Sequence, residues 1–376
     1  MLSGGFKESL DVPGVWDVDF DAARGLFAPS LDGIVVVGGG RSPEENGQEL
    51  LKALAGIADG ANLRLRLGPG VFELPGGVRL GGVRAVEGSG LETIVRFKSG
   101  GVEAPGPMAL ERLSLERHGA GLKPMVAAQA SLYVDGVFAR MTSSGEDGEA
   151  VVFDLVGDAK HGVFKNSRIE VEGAKAGWAI RAQSASLRVE ASEIVIDSAS
   201  GSNSGYGIQT SGESLEVENV RIHLSGDGRL IGIGGPESLS LRNSDVDVDG
   251  KGTGVSGLVG PIRIESSRVV LTGQGQGVAG GSRFFDGAGG KIEIVASQIE
   301  SGGTAVLIGG SGPGISICNL ESSQIKGTLA AVSGTIENIE LRIGSSRVSG
   351  GIDGIPVAKC VFSYDGDFDP LGPDCS

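Results

Sequence analysis

From about residue 160 onward one alternation of apolar and polar positions recurs along the chain. NSRIEVEG (166–173), ASEIVIDS (191–198), NVRIHLSG (219–226), NSDVDVDG (243–250), SSRVVLTG (266–273), ASQIESGG (296–303), SSQIKGT (322–328) and SSRVSGG (345–351) each open on a small or amide residue. Usually a polar pair follows, and then β-branched residues alternate with polar ones. Successive openings lie 23 to 30 residues apart. That spacing suits one coil of a solenoid, with the variation taken up in turns. A second alternating segment precedes most of these, as in SLRVE (186–190), SLEVE (214–218), SLSLR (238–242), PIRIE (261–265) and KIEIV (291–295). Before that stands a third, Gly-flanked one: GWAIRA (177–182), GYGIQT (205–210), LIGIGG (230–235) and TAVLIGG (304–310). Period-two alternation between Gly, Ser and Asn corners predicts three short strands per coil. The expected fold is therefore all-β, a right-handed parallel β-helix (β-solenoid) with Val, Ile and Leu stacked inside. The small residue opening each segment is expected at a corner, where Asn or Ser can bond the backbone.

A solenoid leaves open strand edges at its ends, and these need covers. Ser42-Pro43-Glu44-Glu45 is a capping box with Pro at the first helical position, and Leu50, Leu51, Leu54 and Ile57 fall on one helical face. A capping helix is thus expected within 41–60, the β-helix over 61–357 and a terminal cap over 358–376. Residues 1–40, with Trp16, Phe20 and Phe27, show no repeat period. They read as an irregular lead-in or an oligomer contact.

Composition narrows the function classes. With 67 Gly among 376 residues and 40% hydrophobic residues, the chain is neither disordered nor collagen-like. A net charge of −15 repels polyanions, so no nucleic-acid partner is expected. The longest apolar run, Ile34–Val37, is too short for a transmembrane segment, and the first twenty residues show no export signal. Cys360 and Cys375 bracket a Gly/Pro/Asp-rich tail that a disulfide would staple to the body, which favours an oxidising compartment. Cys318, between Ile317 and Asn319, reads as a small buried hydrophobe.

Asn62–Leu67, Gly68-Pro69-Gly70-Val71-Phe72 and Glu87-Gly88-Ser89-Gly90-Leu91-Glu92-Thr93-Ile94 together resemble the opening of the pectin-lyase-like superfamily, pectin methylesterases above all. The tail Lys359-Cys360-Val361, Tyr364-Asp365 and Cys375 looks like the ending of bacterial secreted or surface β-helix proteins. The resemblance implies the fold and leaves the function open, since that superfamily includes lyases, hydrolases, esterases, phage tailspikes and catalytically silent surface proteins. The QDTL-like and DFIFG-like segments of the methylesterases do not occur, and the NTD, DD, GHG and RIK set of polygalacturonases is missing. Arg117-His118-Gly119 is only an echo of the latter.

Candidate chemistry is sparse. His223 beside Asp247, with Asp245 and Arg268, would form an acid/base or metal-binding face. The simpler expectation is an outward charge ladder of Arg168, Glu193, Arg221, Asp245, Arg268, Gln298, Gln324 and Arg347, with a second of Arg188, Glu216, Ser240, Arg263 and Glu293. Asp365, Asp367 and Asp369, like Asp17, Asp19 and Asp21, could take Ca2+ but lack the Gly and Glu of an EF-hand loop. Otherwise no cofactor is expected. Trp178 and Tyr206, in register with Ile231, form a possible sugar-stacking column. The leading expectation is a non-catalytic bacterial surface or secreted β-helix, extracellular, acting as a spacer or as a recognition module for a polysaccharide or cell-surface glycan. The rivals are a polysaccharide lyase or hydrolase with a divergent site, and a tailspike-like trimer.

Overall fold

The computed structural model describes residues 7–8, 16–17, 33–119, 123–143, 149–157, 161–198, 204–257, 260–280, 290–309, 315–334, 339–361, 363–365, 367, 369–373 and 375. Phe20, Phe27, Asp19 and Asp21 lie outside them. The chain is 63% strand and 4% helix, and its fold is a parallel β-solenoid. It divides into two compact units at Ala199/Ser200. Among the described residues no helix is long and apolar enough to cross a membrane.

Each coil contributes one strand to a first sheet and two to a second, as the alternation predicts. In the first unit, the first sheet stacks Gly33–Val37, Leu63–Leu67, Val83–Glu87, Met108–Glu111, Leu132–Asp135, His161–Lys165 and Ser186–Glu190, each parallel to the next. The sheet thus begins ahead of the helix, because Gly33-Ile34-Val35-Val36-Val37 is itself a strand. In the second unit Ser214–Glu218, Ser238–Arg242, Ile262–Glu265, Lys291–Val295, Ser316–Glu321, Ile339–Gly344 and Val357–Val361 stack in the same way.

Register keeps like over like. The inward column Leu65, Val86, Leu110, Val134, Phe164 and Val189 is buried throughout. Phe164 also meets Phe153 edge to face, with ring centroids 5.1 Å apart. Its counterpart in the second unit runs Val217, Leu241, Ile264, Ile294, Leu320, Ile343 and Cys360. Each such side chain contributes about 1.5–3 kcal/mol of burial, and a stack sums these without any single large centre.

Two of the three strands fuse in two coils of the second unit, giving Arg221–Gly234 and Asp245–Ser256. Their connections are glycine-rich, so the backbone stays paired through the bend with one register shift between Ser225 and Arg229. Gly252 has φ +146°, and a Cβ there would lie 1.8 Å from the Leu230 carbonyl oxygen. Only glycine suits that position.

The helix runs from Pro43 to Ala55. The Ser42 hydroxyl accepts from the Glu45 N–H at 3.3 Å, and the Ser42 N–H donates to the Glu45 carboxylate at 3.1 Å. Leu50 is buried, while Leu51, Leu54 and Ile57 are half-buried. Asn46 fixes the helix to the first coil by donating to the Val71 carbonyl at 2.9 Å. Gly47 allows the close approach, since a Cβ there would fall 1.9 Å from the Glu73 carbonyl oxygen. At the other end the Cys360 N–H donates to the Pro373 carbonyl at 3.0 Å, so the tail covers the edge of the last strand.

The repeated corner is the most regular feature. Asn166, Ala191, Asn219, Asn243, Ser266, Ala296, Ser322 and Ser345, the residues that open the recurring segments, all have φ between 46° and 55°. This left-handed geometry is disfavoured for side chains other than Asn and Asp, so the surrounding structure imposes it. The serine after most corners belongs inside. Ser167, Ser192, Ser244, Ser267, Ser297, Ser323 and Ser346 are buried. Each hydroxyl donates to the carbonyl two residues before it, at 2.6 to 2.8 Å. Each also accepts a backbone N–H from the preceding coil where that bond is described. Ser244 donates its N–H to Ser267, Ser267 to Ser297, Ser297 to Ser323 and Ser323 to Ser346, at 3.1 to 3.2 Å. The result is a serine ladder threaded through the corners.

Removing the Ser267 rung leaves the buried Ser244 N–H without its partner, while the Glu265 carbonyl keeps the Asn243 N–H. Ser267→Ala is expected to lower stability by about 1–3 kcal/mol. Urea unfolding should show this as a lower midpoint at an unchanged slope.

Candidate functional site

The outer face of the first sheet in the second unit carries two columns between the apolar ones. One runs Glu216, Ser240, Arg263, Glu293, Asn319, Arg342 and Lys359. The other reads Glu218, Arg242, Glu265, Val295, Glu321, Gly344 and Val361. Parallel pairing forces this order, because alternate residues of each strand point outward and every coil repeats the register. Over the last coils the two columns form a groove of about 620 Å³, floored by side chains from Arg263 to Val361. That volume lies within the range of small-ligand sites.

Charges in the groove are tied to one another. Arg342 and Lys359 both reach the Glu340 carboxylate at 3.1 Å. Their hydrogen bonds hold the Glu340 carboxyl below its ordinary range, Arg342 contributing most. Lys291 contacts Glu293 at 2.6 Å, and Arg263 contacts Glu265 at 3.3 Å. Between these pairs sits Asn319, whose side-chain oxygen is enclosed without a hydrogen-bond partner. An enclosed, unpaired acceptor costs about 1–3 kcal/mol.

The residues singled out in the sequence fall elsewhere. His223 stands directly opposite Asp247 across neighbouring strands of the second sheet, with Nδ1 and Oδ2 3.7 Å apart. Asp245 and Arg268 pair at 2.9 Å on the same outer face. The four are thus brought together, but as exposed side chains on strands. The expected ladder registers hold wherever the pairings are described: Arg168 over Glu193, Arg221 over Asp245, then Arg268, Gln298, Gln324 and Arg347. Asp245 gives its ion pair to Arg268, however, where a partner on each side was expected.

Trp178, in the first unit, lies opposite Val151 and takes the Arg181 guanidinium over its ring at 5.5 Å. Arg181 is itself held by Asp154 through bonds of 3.0 and 2.7 Å. Tyr206, in the second unit, lies opposite Ile231. Asp365 turns its carboxylate to the backbone, accepting the N–H groups of Asp367 and Asp369 at 2.9 Å each. Among the described residues no group of three or more His, Cys, Asp or Glu side chains is placed to hold a metal ion. Cys360 and Cys375 form the expected disulfide, and Cys318 is a free, buried thiol.

Asn319, Arg342 and Lys359 escaped the sequence reading. They belong to SICNLE (316–321), IELRIG (339–344) and VAKCV (357–361), which continue the column containing Arg263 and Glu293. Extending that register by three coils would have found them.

No family model and no curated protein matches the chain. Two solved structures share its fold at 13% sequence identity. The A-module of mannuronan C-5 epimerase AlgE6 from Azotobacter vinelandii aligns over 87% of this chain and 96% of its own, with a TM-score of 0.52. The catalytic unit of the GH87 α-1,3-glucanase from Streptomyces thermodiastaticus strain HF3-3 aligns over 93% of this chain and 71% of its own, at 0.55. Likeness at this identity is a likeness of fold.

Two outcomes test these assignments. Asp245→Arg and Arg268→Asp are each expected to cost about 0.2–1 kcal/mol, and the double exchange to restore most of it, as a double-mutant cycle would show. Burial raises the Cys318 thiol from its ordinary 9.0 to about 12. The thiol should therefore resist alkylation until the protein unfolds. Because the folded value is the higher one, its stabilising contribution is complete below pH 9.0 and is lost as pH rises toward about 12. Cys318→Val should flatten stability over that interval in pH-dependent denaturation.

Proposed function

We propose that the protein is an exported, non-catalytic β-solenoid that binds an extended polysaccharide along the outer face of its first sheet, in the groove between Arg263 and Val361. The observation that carries this is the groove itself, in which guanidinium, ammonium, amide and carboxylate groups recur at the coil spacing of about 4.8 Å. Such a row offers the same hydrogen-bonding step to each successive sugar of a chain. The two proteins of like fold are named for action on mannuronan and on α-1,3-glucan, which supports a glycan as the ligand class. Binding rather than cleavage is favoured by the state of the charges. Arg342 and Lys359 both hold the Glu340 carboxylate, so it is engaged within the chain rather than standing free to act on a sugar. The Cys360–Cys375 disulfide supports an extracellular or surface location.

One observation favours the enzyme alternative, a lyase or hydrolase. His223 and Asp247 are in direct register, and an imidazole beside a carboxylate can exchange protons. Affinity electrophoresis against a panel of polysaccharides, run alongside assays for reducing ends and unsaturated products, separates the two. Retention without product is expected, and Arg342→Ala with Lys359→Ala should weaken retention about tenfold or more, as loss of charged hydrogen bonds of about 1.5–3 kcal/mol requires. Turnover that disappears in His223→Ala would establish the enzyme instead.

A further inference from the structure

The charge bookkeeping of the groove says which class of glycan it suits. Each cation facing the groove already holds a carboxylate of this chain: Arg263 has Glu265, while Arg342 and Lys359 share Glu340. Lys291, at the groove's border, holds Glu293. Glu321 adds a further carboxylate to the lining. A uronate chain would bring one carboxylate per sugar onto cations whose charge is already offset, and would set it beside Glu293, Glu321 and Glu340. A hydroxyl meets no such obstacle, because it donates to a carboxylate and accepts from a guanidinium without separating the two.

Two further observations agree. The enclosed oxygen of Asn319 lacks a donor, and a sugar hydroxyl is a donor that the carboxamide can turn to meet. The whole chain carries a charge of −15, which repels a polyanion before contact, most strongly at low salt.

We infer that the groove is selective for neutral, polyhydroxylated glycans over polyuronates, an assignment that rests on the groove being the glycan site. Of the two substrates named for the proteins of like fold, glucan rather than mannuronan is the chemical type it fits.

The test is equilibrium binding of the full chain to soluble neutral glucans and galactomannan, and to polymannuronate and polygalacturonate, at about 0.01 M and about 0.15 M salt. Neutral chains should bind with little dependence on salt, and both polyuronates at least about tenfold more weakly, a difference of about 1.4 kcal/mol. Asn319→Ala should weaken neutral-glycan binding severalfold, whereas Gln298→Ala, on the other sheet, should leave it unchanged. Tight polyuronate binding that falls with salt, and that Arg342→Ala abolishes, would overturn the selectivity while leaving the groove as the binding site. Failure of every glycan to bind, with circular dichroism confirming the fold, would overturn the site assignment itself and the selectivity with it.

Discussion

Much of this fold depends on satisfying the backbone at one corner that recurs in the coils from Asn166 to Ser345. A left-handed residue turns the chain sharply from the first sheet to the second, which takes the next amide out of the strand ladders. A buried serine supplies the missing partner, receiving an amide from the coil before while its own hydroxyl closes on a carbonyl within its coil that also takes a backbone N–H. Burial of polar backbone is tolerable only when such partners exist. The corner therefore fixes where each coil turns, and the turn fixes which side chains of the following strand point outward.

From that constraint the outer columns follow without further instruction. Once Ser244, Ser267 and Ser297 stand in line, Asp245, Arg268 and Gln298 must do so as well. The same logic on the first sheet places Arg263, Glu293, Asn319, Arg342 and Lys359 in one row. A groove arises where Val295, Gly344 and Val361 replace longer charged residues in the adjacent row. Short side chains beside long ones make the depression, and ion pairs along its border set its chemistry.

From about residue 160 onward the strands, their order and the inward columns were legible because period-two alternation survives in those coils. Asn166, Asn219 and Asn243 announced the corner by residue type, while Ala191 and Ala296 could be placed there only by alignment with them. The bonding role of the serines was not legible. Each serine stands two residues before an inward β-branched position and so shares its face, but only the fold reveals the carbonyl and amide it pairs with. The groove was half visible, through Arg263 and Glu293. Its remainder required knowing that SICNLE, IELRIG and VAKCV pair in unbroken register. The exposed placement of His223, Asp245, Asp247 and Arg268 could not be read from spacing, since alternation says that residues share a face and not whether that face is hollow.

The serine ladder also constrains how such a protein can change over generations. A one-residue insertion within a strand exchanges its two faces and takes the next serine off the ladder, so it damages every contact along that coil. An insertion of a complete coil, corner included, leaves each neighbour with an equivalent neighbour. Duplication or loss of whole coils is therefore the gentlest route by which this lineage can lengthen or shorten, and the length of its outer columns would be inherited in discrete steps.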